Sequence, residues 1–407
     1  MSNQQVMPAA AIEPPADLPD NLIGDFDVYA APELAQCPYR YTFRLHEGPP
    51  IVWVPDRRSR GAWQVSRAAD IRFVMNNPQI FSSREAAGFS QLIGERWDMI
   101  PLELDPPEHT KFRKVMNPIL APAKVAQMAP GVTARAVELI ETVREKGGCE
   151  FMEAFGQPFP VSIFMQLMGL PSDQMGTFLR WEKDLLFSPD PQDKARAAKE
   201  IRDYLVTLGN ERRANPTGDL TSYVVQAEVD GRPFSDDEIL GTLYLLFVGG
   251  LDTVASTLGF VFRHLAEDQE HQAWLRANPD RVEKAIEELI RRFTVVSTRR
   301  RVMEDVELGG VQMKRGDWVA VTFAAGSIDP NEFLCPLDVD FDRKNVRHFG
   351  FGFGPHFCIG NHLARRELVV ALHEWLARIP QWRVRPGSEV IQHGGGVFGV
   401  DLLELEW

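Results

Sequence analysis

The sequence predicts a mainly α-helical domain carrying small β-sheets, and three observations lead to that class. Helical periodicity dominates from about residue 68 to about residue 293. Short alternating or apolar runs bounded by Gly and Pro lie on either side of it. No linker rich in Gly, Ser or Pro divides the chain. Of 407 residues, 44% are hydrophobic and 25% charged, the ordinary balance of a globular protein with a deep core. A single domain over residues 21–407 follows, preceded by a disordered or extended tail over residues 1–20 rich in Pro, Ala and Gln. That tail has no basic region followed by an apolar core, so it does not read as a secretory signal.

Residues 51–54 and 61–65 read as short strands, because aromatic and β-branched residues stand between Pro and Gly signals. The helical region breaks at Asp105-Pro106-Pro107, Gly169-Leu170-Pro171 and Asn215-Pro216-Thr217-Gly218. Ser235-Asp236-Asp237-Glu238 is a capping box that opens a helix to about Ala266. Roughly 30 residues at 1.5 Å each give about 45 Å, enough to cross a domain. At its centre stands Gly249-Gly250-Leu251-Asp252-Thr253. Two glycines cost a helix about 1 kcal/mol each relative to Ala, so they signal close approach or local distortion. Thr253 can bond the carbonyl of Gly249 and open a groove there. This helix is long and apolar enough to span a bilayer. Asp252 at its middle would cost about 2.5–3.5 kcal/mol on the insertion scale, so a buried core helix is predicted. Strands return at 306–308, 311–313 and 318–321, and strand and turn at 397–405.

A net charge of −13 and a pI near 5.3 argue against nucleic acid as a partner, although a docking patch needs only local charge. Four scattered cysteines give no disulfide framework, which suits the cytoplasm. Cys37, Cys149 and Cys335 read as small hydrophobes. His356, Cys358 and His362 lie close in sequence, but no fourth ligand with zinc-like spacing accompanies them.

The residues richest in chemistry are Phe351-Gly352-Phe353-Gly354-Pro355-His356-Phe357-Cys358-Ile359-Gly360. From Asn361 onward, Leu363, Leu368, Val369, Leu372, Trp375 and Leu376 recur at helical spacing, which sets Cys358 at a helix start. Unpaired N–H groups and the helix dipole favour negative charge there, so a depressed thiol pKa is expected. Gly352 and Gly354 let the backbone turn closely under a flat ligand, Gly360 removes a Cβ beside the sulfur, and His356 can meet an anionic group. The ligand implied is haem. These ten residues resemble, position by position, the Phe-Gly-x-Gly-x-His-x-Cys-x-Gly loop of the cytochrome P-450 family.

That resemblance implies a fold in which haem b (iron protoporphyrin IX) lies between a long distal helix and a proximal Cys loop. It makes Cys358 the iron ligand, places Phe351, Gly360 and Gly249 against the haem, and sets His109, Arg113, Arg300 and His356 near its propionates. Asp252 would pass solvent protons and Thr253 would position hydrogen-bond donors where dioxygen is reduced. Glu288 and Arg291 match the family's Glu-x-x-Arg pair. A second arginine often precedes the position of Phe341, but Asp338-Val339-Asp340 offers none, which leaves the third partner open.

The nearest resemblance is to soluble bacterial camphor hydroxylases, carried by Leu104-Asp105-Pro106-Pro107-Glu108, by residues 248–254 and 287–293, and by His362 to Glu367. It implies a substrate pocket of Trp97, Leu245, Val248, Val296 and Val397, with Phe89 as roof. Trp97 departs from the tyrosine that bonds the ketone in those enzymes, and residues 86–94 also differ. The expected activity is hydroxylation of a small apolar terpenoid or norisoprenoid, such as an ionone-like cyclic ketone, with O2. Two electrons would come from a [2Fe-2S] ferredoxin and its NADH-dependent reductase, because no Gly-x-Gly-x-x-Gly fingerprint and no iron–sulfur cysteine cluster is present. Arg72, Lys111, Arg113, Lys344 and Arg347 are candidate docking cations. The rival readings are a camphor hydroxylase proper, a peroxide-driven haem enzyme, and a haem sensor that does not turn over. No membrane partner is expected.

Overall fold

The computed structural model describes residues 12–15, 17–56 and 61–407. Residues 1–11 and 16 of the expected tail lie outside the described residues. Ile12 is buried against the sheet core, and Asp20–Leu22 form a short turn of 3-10 helix.

Helices dominate the middle of the chain and three apolar clusters hold them. The first cluster packs Pro122–Val143 against Asn361–Arg378 around Phe151, Phe155, Phe262, Trp375 and Trp382, whose rings stack or meet edge to face. The second joins Pro158–Met168, Pro191–Ala214 and Asp236–Leu251. The third lies on a five-stranded sheet in the order Ile51–Val54, Ala62–Val65, Trp318–Thr322, Ser297–Val302, Phe81–Ser82. Most of its neighbours pair antiparallel, but Ala62–Val65 runs parallel to Trp318–Thr322, with Trp63 opposite Val319.

The expected strands at 51–54, 306–308, 311–313 and 318–321 are present. Ser297–Val302 was not legible as one, since Arg299-Arg300-Arg301 reads as a solvated charge run. In the fold Arg299 and Arg301 lie over the Trp318 ring, 4.2 and 5.6 Å from its centroid. Their stems pack while their heads are paired, which lets the run sit inside a sheet.

The long distal helix forms as expected, over Asp236–Leu251 and Thr253–Glu267, with both halves of the Ser235–Glu238 capping box made. It is interrupted at Asp252, where φ is −105°. Gly250 explains part of its course, because a Cβ there would fall 2.3 Å from the Phe164 ring. Within this membrane-length helix, 61% of the most apolar window is buried in the protein, as for a core helix.

Candidate haem-thiolate site

The Cys loop is a turn built on two left-handed glycines, Gly352 (φ +72°) and Gly354 (φ +71°). A Cβ on Gly354 would press to 2.5 Å from the Met75 carbonyl, so the turn has no room for a side chain there. The loop closes when the Cys358 N–H donates to the Phe351 carbonyl at 2.9 Å. The helix Asn361–Arg378 then begins with Gly360 as its cap. Asn361 turns its amide back onto the Cys358 carbonyl (2.7 Å) and accepts from Arg365 (2.7 Å). Arg365 in turn clamps Glu287 at 2.6 and 3.0 Å and lies 4.3 Å from the Phe351 ring centroid. His348 completes this clamp, one ring nitrogen on Glu287 and the other receiving the Gly350 N–H.

The expected depression of the Cys358 thiol pKa is corrected by this geometry. Burial dominates and pushes the thiol up; the Gly360 and Asn361 N–H groups, Arg113 and Arg365 oppose it without prevailing. Cys358 as a residue is exposed all the same, and an iron ion held by its sulfur would supply the compensation that the helix start alone does not.

Above this opening, the four predicted propionate partners converge. The rings of His109 and His356 lie 4.2 Å apart, and Arg113 and Arg300 are close enough to act on both. Burial and these neighbouring cations lower His109 to about 4 and His356 to about 2, while burial brings Arg300 to about 10. Both ring nitrogens of His109 are enclosed without a hydrogen-bond partner. Asp105 is the acid that acts on His109 and Arg300, and it is already engaged by Ser82 and by the Ser83 N–H. A buried cationic cluster with orphaned donors needs anions, and two carboxylates of a flat group lying over Cys358 would supply them. On the long helix, a Cβ on Gly249 would meet nothing within 4 Å, so the chain leaves open space there. The residues present therefore fit haem.

At the break in the distal helix, Asp252 Oδ1 accepts from the Ser256 hydroxyl at 3.0 Å, and Oδ2 is enclosed without a partner. Burial raises the Asp252 pKa; His393 and Ser256 pull it down and Asp401 adds to the rise. The Thr253 hydroxyl reaches the Gly249 carbonyl only loosely, at 3.5 Å.

The predicted pocket residues fall into two groups. Val296 and Val397 face each other across an isolated antiparallel bridge and pack on the first cluster. Leu245, Val248, Phe89 and Trp97 belong with the second, where the Tyr244 ring lies 4.7 Å from Trp97 and 6.0 Å from Phe89. The Trp97 indole N–H is spent on Glu95 at 2.7 Å, and Glu95 also pairs with Arg202 at 3.0 Å. The segment near Phe89 is pinned by buried Glu103, which accepts from Ala87, Gly88 and Met99 N–H groups.

Glu288 and Arg291 pair with two 2.8 Å bonds, and the third partner is Arg343, whose Nε reaches both Glu288 oxygens at 3.0 and 3.1 Å. It lies beyond Phe341, not before it, so a search at the usual place could not find it. Of the candidate docking cations, Arg72 is held by Glu332, Lys111 by Asp230, and Arg113 belongs to the cation cluster. Lys344 and Arg347 are exposed. Among the described residues one group of three metal-ligand side chains occurs, His264, Asp268 and His271, so His356, Cys358 and His362 form no zinc-like cluster.

Comparison with known proteins agrees with this geometry. Residues 161–390 match the family model described as Cytochrome P450. The chain is 38% identical over 401 residues to a "Probable cytochrome P450 127A1" of Sinorhizobium fredii, covering 97% of this chain and 96% of that one. It is 30% identical to a linalool 8-monooxygenase of Pseudomonas putida, over 86% of this chain and 90% of that one. The crystal structure of cytochrome P450 CYP101C1 superposes with a TM-score of 0.86 at 33% identity, covering 97% of this chain and all of that one. With a cysteine loop shaped for a flat ligand, a cation cluster awaiting its carboxylates and relatives alike over nearly the whole chain, this protein belongs to the cytochrome P450 family.

Proposed function

We propose that this cytochrome P450 monooxygenase hydroxylates a small apolar terpenoid or norisoprenoid, such as an ionone-like cyclic ketone. The observation that carries this reading is the Trp97 indole, whose donor is already paired with Glu95. The walls expected to meet substrate are then hydrocarbon and aromatic: Phe89, Leu245, Val248, Val296 and Val397. A pocket of this kind selects by shape and apolar area, and a camphor carbonyl at Trp97 would lose its bond to water without gaining another. A relative named for linalool supports the terpenoid class.

Haem b is the cofactor, and when bound it supplies the activation of dioxygen and the insertion of one oxygen atom into a C–H bond. Cys358 would hold its iron, Phe351, Gly360 and Gly249 would leave room for the ring, and His109, Arg113, Arg300 and His356 would hold its carboxylates. Asp252 takes protons from the far side of the distal helix and passes them toward the groove at Gly249. Thr253 orients the donor there. Electrons come from a [2Fe-2S] ferredoxin and its NADH-dependent reductase, with Lys344 and Arg347 among the cations open to an acidic partner, all in the cytoplasm.

The test is an optical titration of the ferric protein with ionone and with camphor, read as the low-spin to high-spin shift of the haem band. A strong shift with ionone and a weak one with camphor is expected. A full shift with camphor would make the camphor hydroxylase the better reading.

A further inference from the structure

Behind the distal helix, a hairpin of Ile391–His393 and Gly399–Leu402 packs against Thr253–Glu267. His393 Nδ1 donates to Asp401 Oδ2 at 2.8 Å. Its other nitrogen, Nε2, is enclosed and has no partner, as is Oδ2 of Asp252. Ser256 bonds Asp252 and lies near the His393 ring. A Cβ placed on Gly399 would sit 2.7 Å from His393 Nε2 and 3.1 Å from Ser256 Oγ, so both atoms flank one point, and Ser256 Oγ already donates to Asp252 Oδ1 at 3.0 Å. Gly399 keeps that point free of a side chain. The His393 and Asp401 side chains are 23% and 39% exposed, which opens the far end of this line to solvent.

We propose that His393, held by Asp401, loads Asp252 with protons across Ser256. The inference rests on the reading of Asp252 as the proton carrier of the distal groove. Doubly protonated His393 gives up its Nε2 proton to the Ser256 hydroxyl as that hydroxyl gives its own to Asp252. The neutral ring keeps its Nδ1 proton on Asp401 and takes a new proton at Nε2 from water when it swings outward. Such a ring needs one nitrogen fixed and the other free, which is what the Asp401 bond and the orphaned Nε2 provide. The other charged groups here sit on Met175–Phe187 and, at Arg263, on Thr253–Glu267, where Arg263 donates to Gln392 at 2.7 Å. Lys183 acts on Asp401, and the charge of Asp252 acts on Glu182. Glu182 is 3% exposed with one oxygen unpartnered, so it has no comparable outlet to solvent. The Phe187 ring packs tilted against the His393 ring, centroids 4.3 Å apart, beside the route.

The experiment uses the haem-loaded enzyme. NADH oxidation with ferredoxin at saturating substrate is compared in Asp252→Asn, His393→Phe and Asp401→Asn. All three are expected to slow by about tenfold with an enlarged solvent isotope effect. If Asp252→Asn slows the enzyme while the His393 and Asp401 variants match the wild type in rate and isotope effect, the proton enters elsewhere and the proposal fails. If Asp252→Asn is itself without effect, the reading of Asp252 fails first. Should His393→Phe not retain haem, His393→Gln and the exposed Asp401→Asn carry the same comparison.

Discussion

Gly249 and Gly250 are neighbours in one helix, and the fold assigns their alanine substitutions opposite signs. Replacing a helical glycine by alanine is worth about 1 kcal/mol in backbone entropy. At Gly249 no protein atom lies within 4 Å of the new methyl, so nothing in the protein's own packing offsets the gain. At Gly250 the methyl would fall 2.3, 2.4 and 2.5 Å from three carbons of the Phe164 ring. That ring is 7% exposed and is packed in the second apolar cluster, so it cannot swing aside. Overpacking of this kind costs about 1–3 kcal/mol, and contacts this short belong at the upper end. Gly249→Ala should therefore be more stable than the wild type by about 1 kcal/mol, and Gly250→Ala less stable by about 2 kcal/mol. Thermal unfolding of the haem-loaded proteins, followed by the haem band and by circular dichroism, reads the separation directly. The stable variant should lose activity, because in the proposed site its methyl enters the space left for haem and dioxygen. Equal destabilisation by both substitutions would refute the assignment of Gly249 to open space and Gly250 to packing.

Three further outcomes are expected. Arg343→Ala should destabilise the protein by about 3 kcal/mol in denaturant unfolding, since it strips one of two guanidinium partners from fully buried Glu288. Stability should fall in acid through Glu287. Burial pushes its carboxyl up, but His348 and Arg365 outweigh this and bring it to about 2 in the fold, against an ordinary value of 4.5. Between about 4.5 and about 2 the unfolded chain binds more protons, so this contribution is full above 4.5 and lost as pH falls toward 2. Glu287→Gln should flatten the acid limb of a stability–pH curve. Tyr244→Phe should raise the melting temperature, by about 1 kcal/mol of stability, because the Tyr244 hydroxyl is buried without a partner; a fall would show that the hydroxyl is bonded in the folded enzyme.

The Cys loop was legible because its chemistry is local: glycines, imidazole and thiol lie within ten residues of one another. The capping box at Ser235 and Glu238 and the break near Gly249 were legible for the same reason. The strand Ser297–Val302 was hidden because what makes its arginines tolerable, the Trp318 ring, lies on another strand. Arg343 reaches Glu288 across 55 positions, and His393 meets Ser256 only through the fold. The thiol of Cys358 misled in the opposite way, because a helix start argues for a low pKa and only the packed surroundings reveal that burial outweighs it.

The interruption at Asp252 falls where the distal helix changes its allegiance. Leu251 packs in the second apolar cluster, whereas Ala255 and Leu258 pack in the first. The substrate walls divide along the same seam, with Leu245 and Val248 on one body and Val296 and Val397 on the other. A pocket bounded by these four residues would be the gap between two cores and not a hollow within one. Its two walls would then be anchored in separate packing units, with Ile359 of the Cys loop touching both. Substitutions confined to one unit could reshape one wall while leaving the other in place.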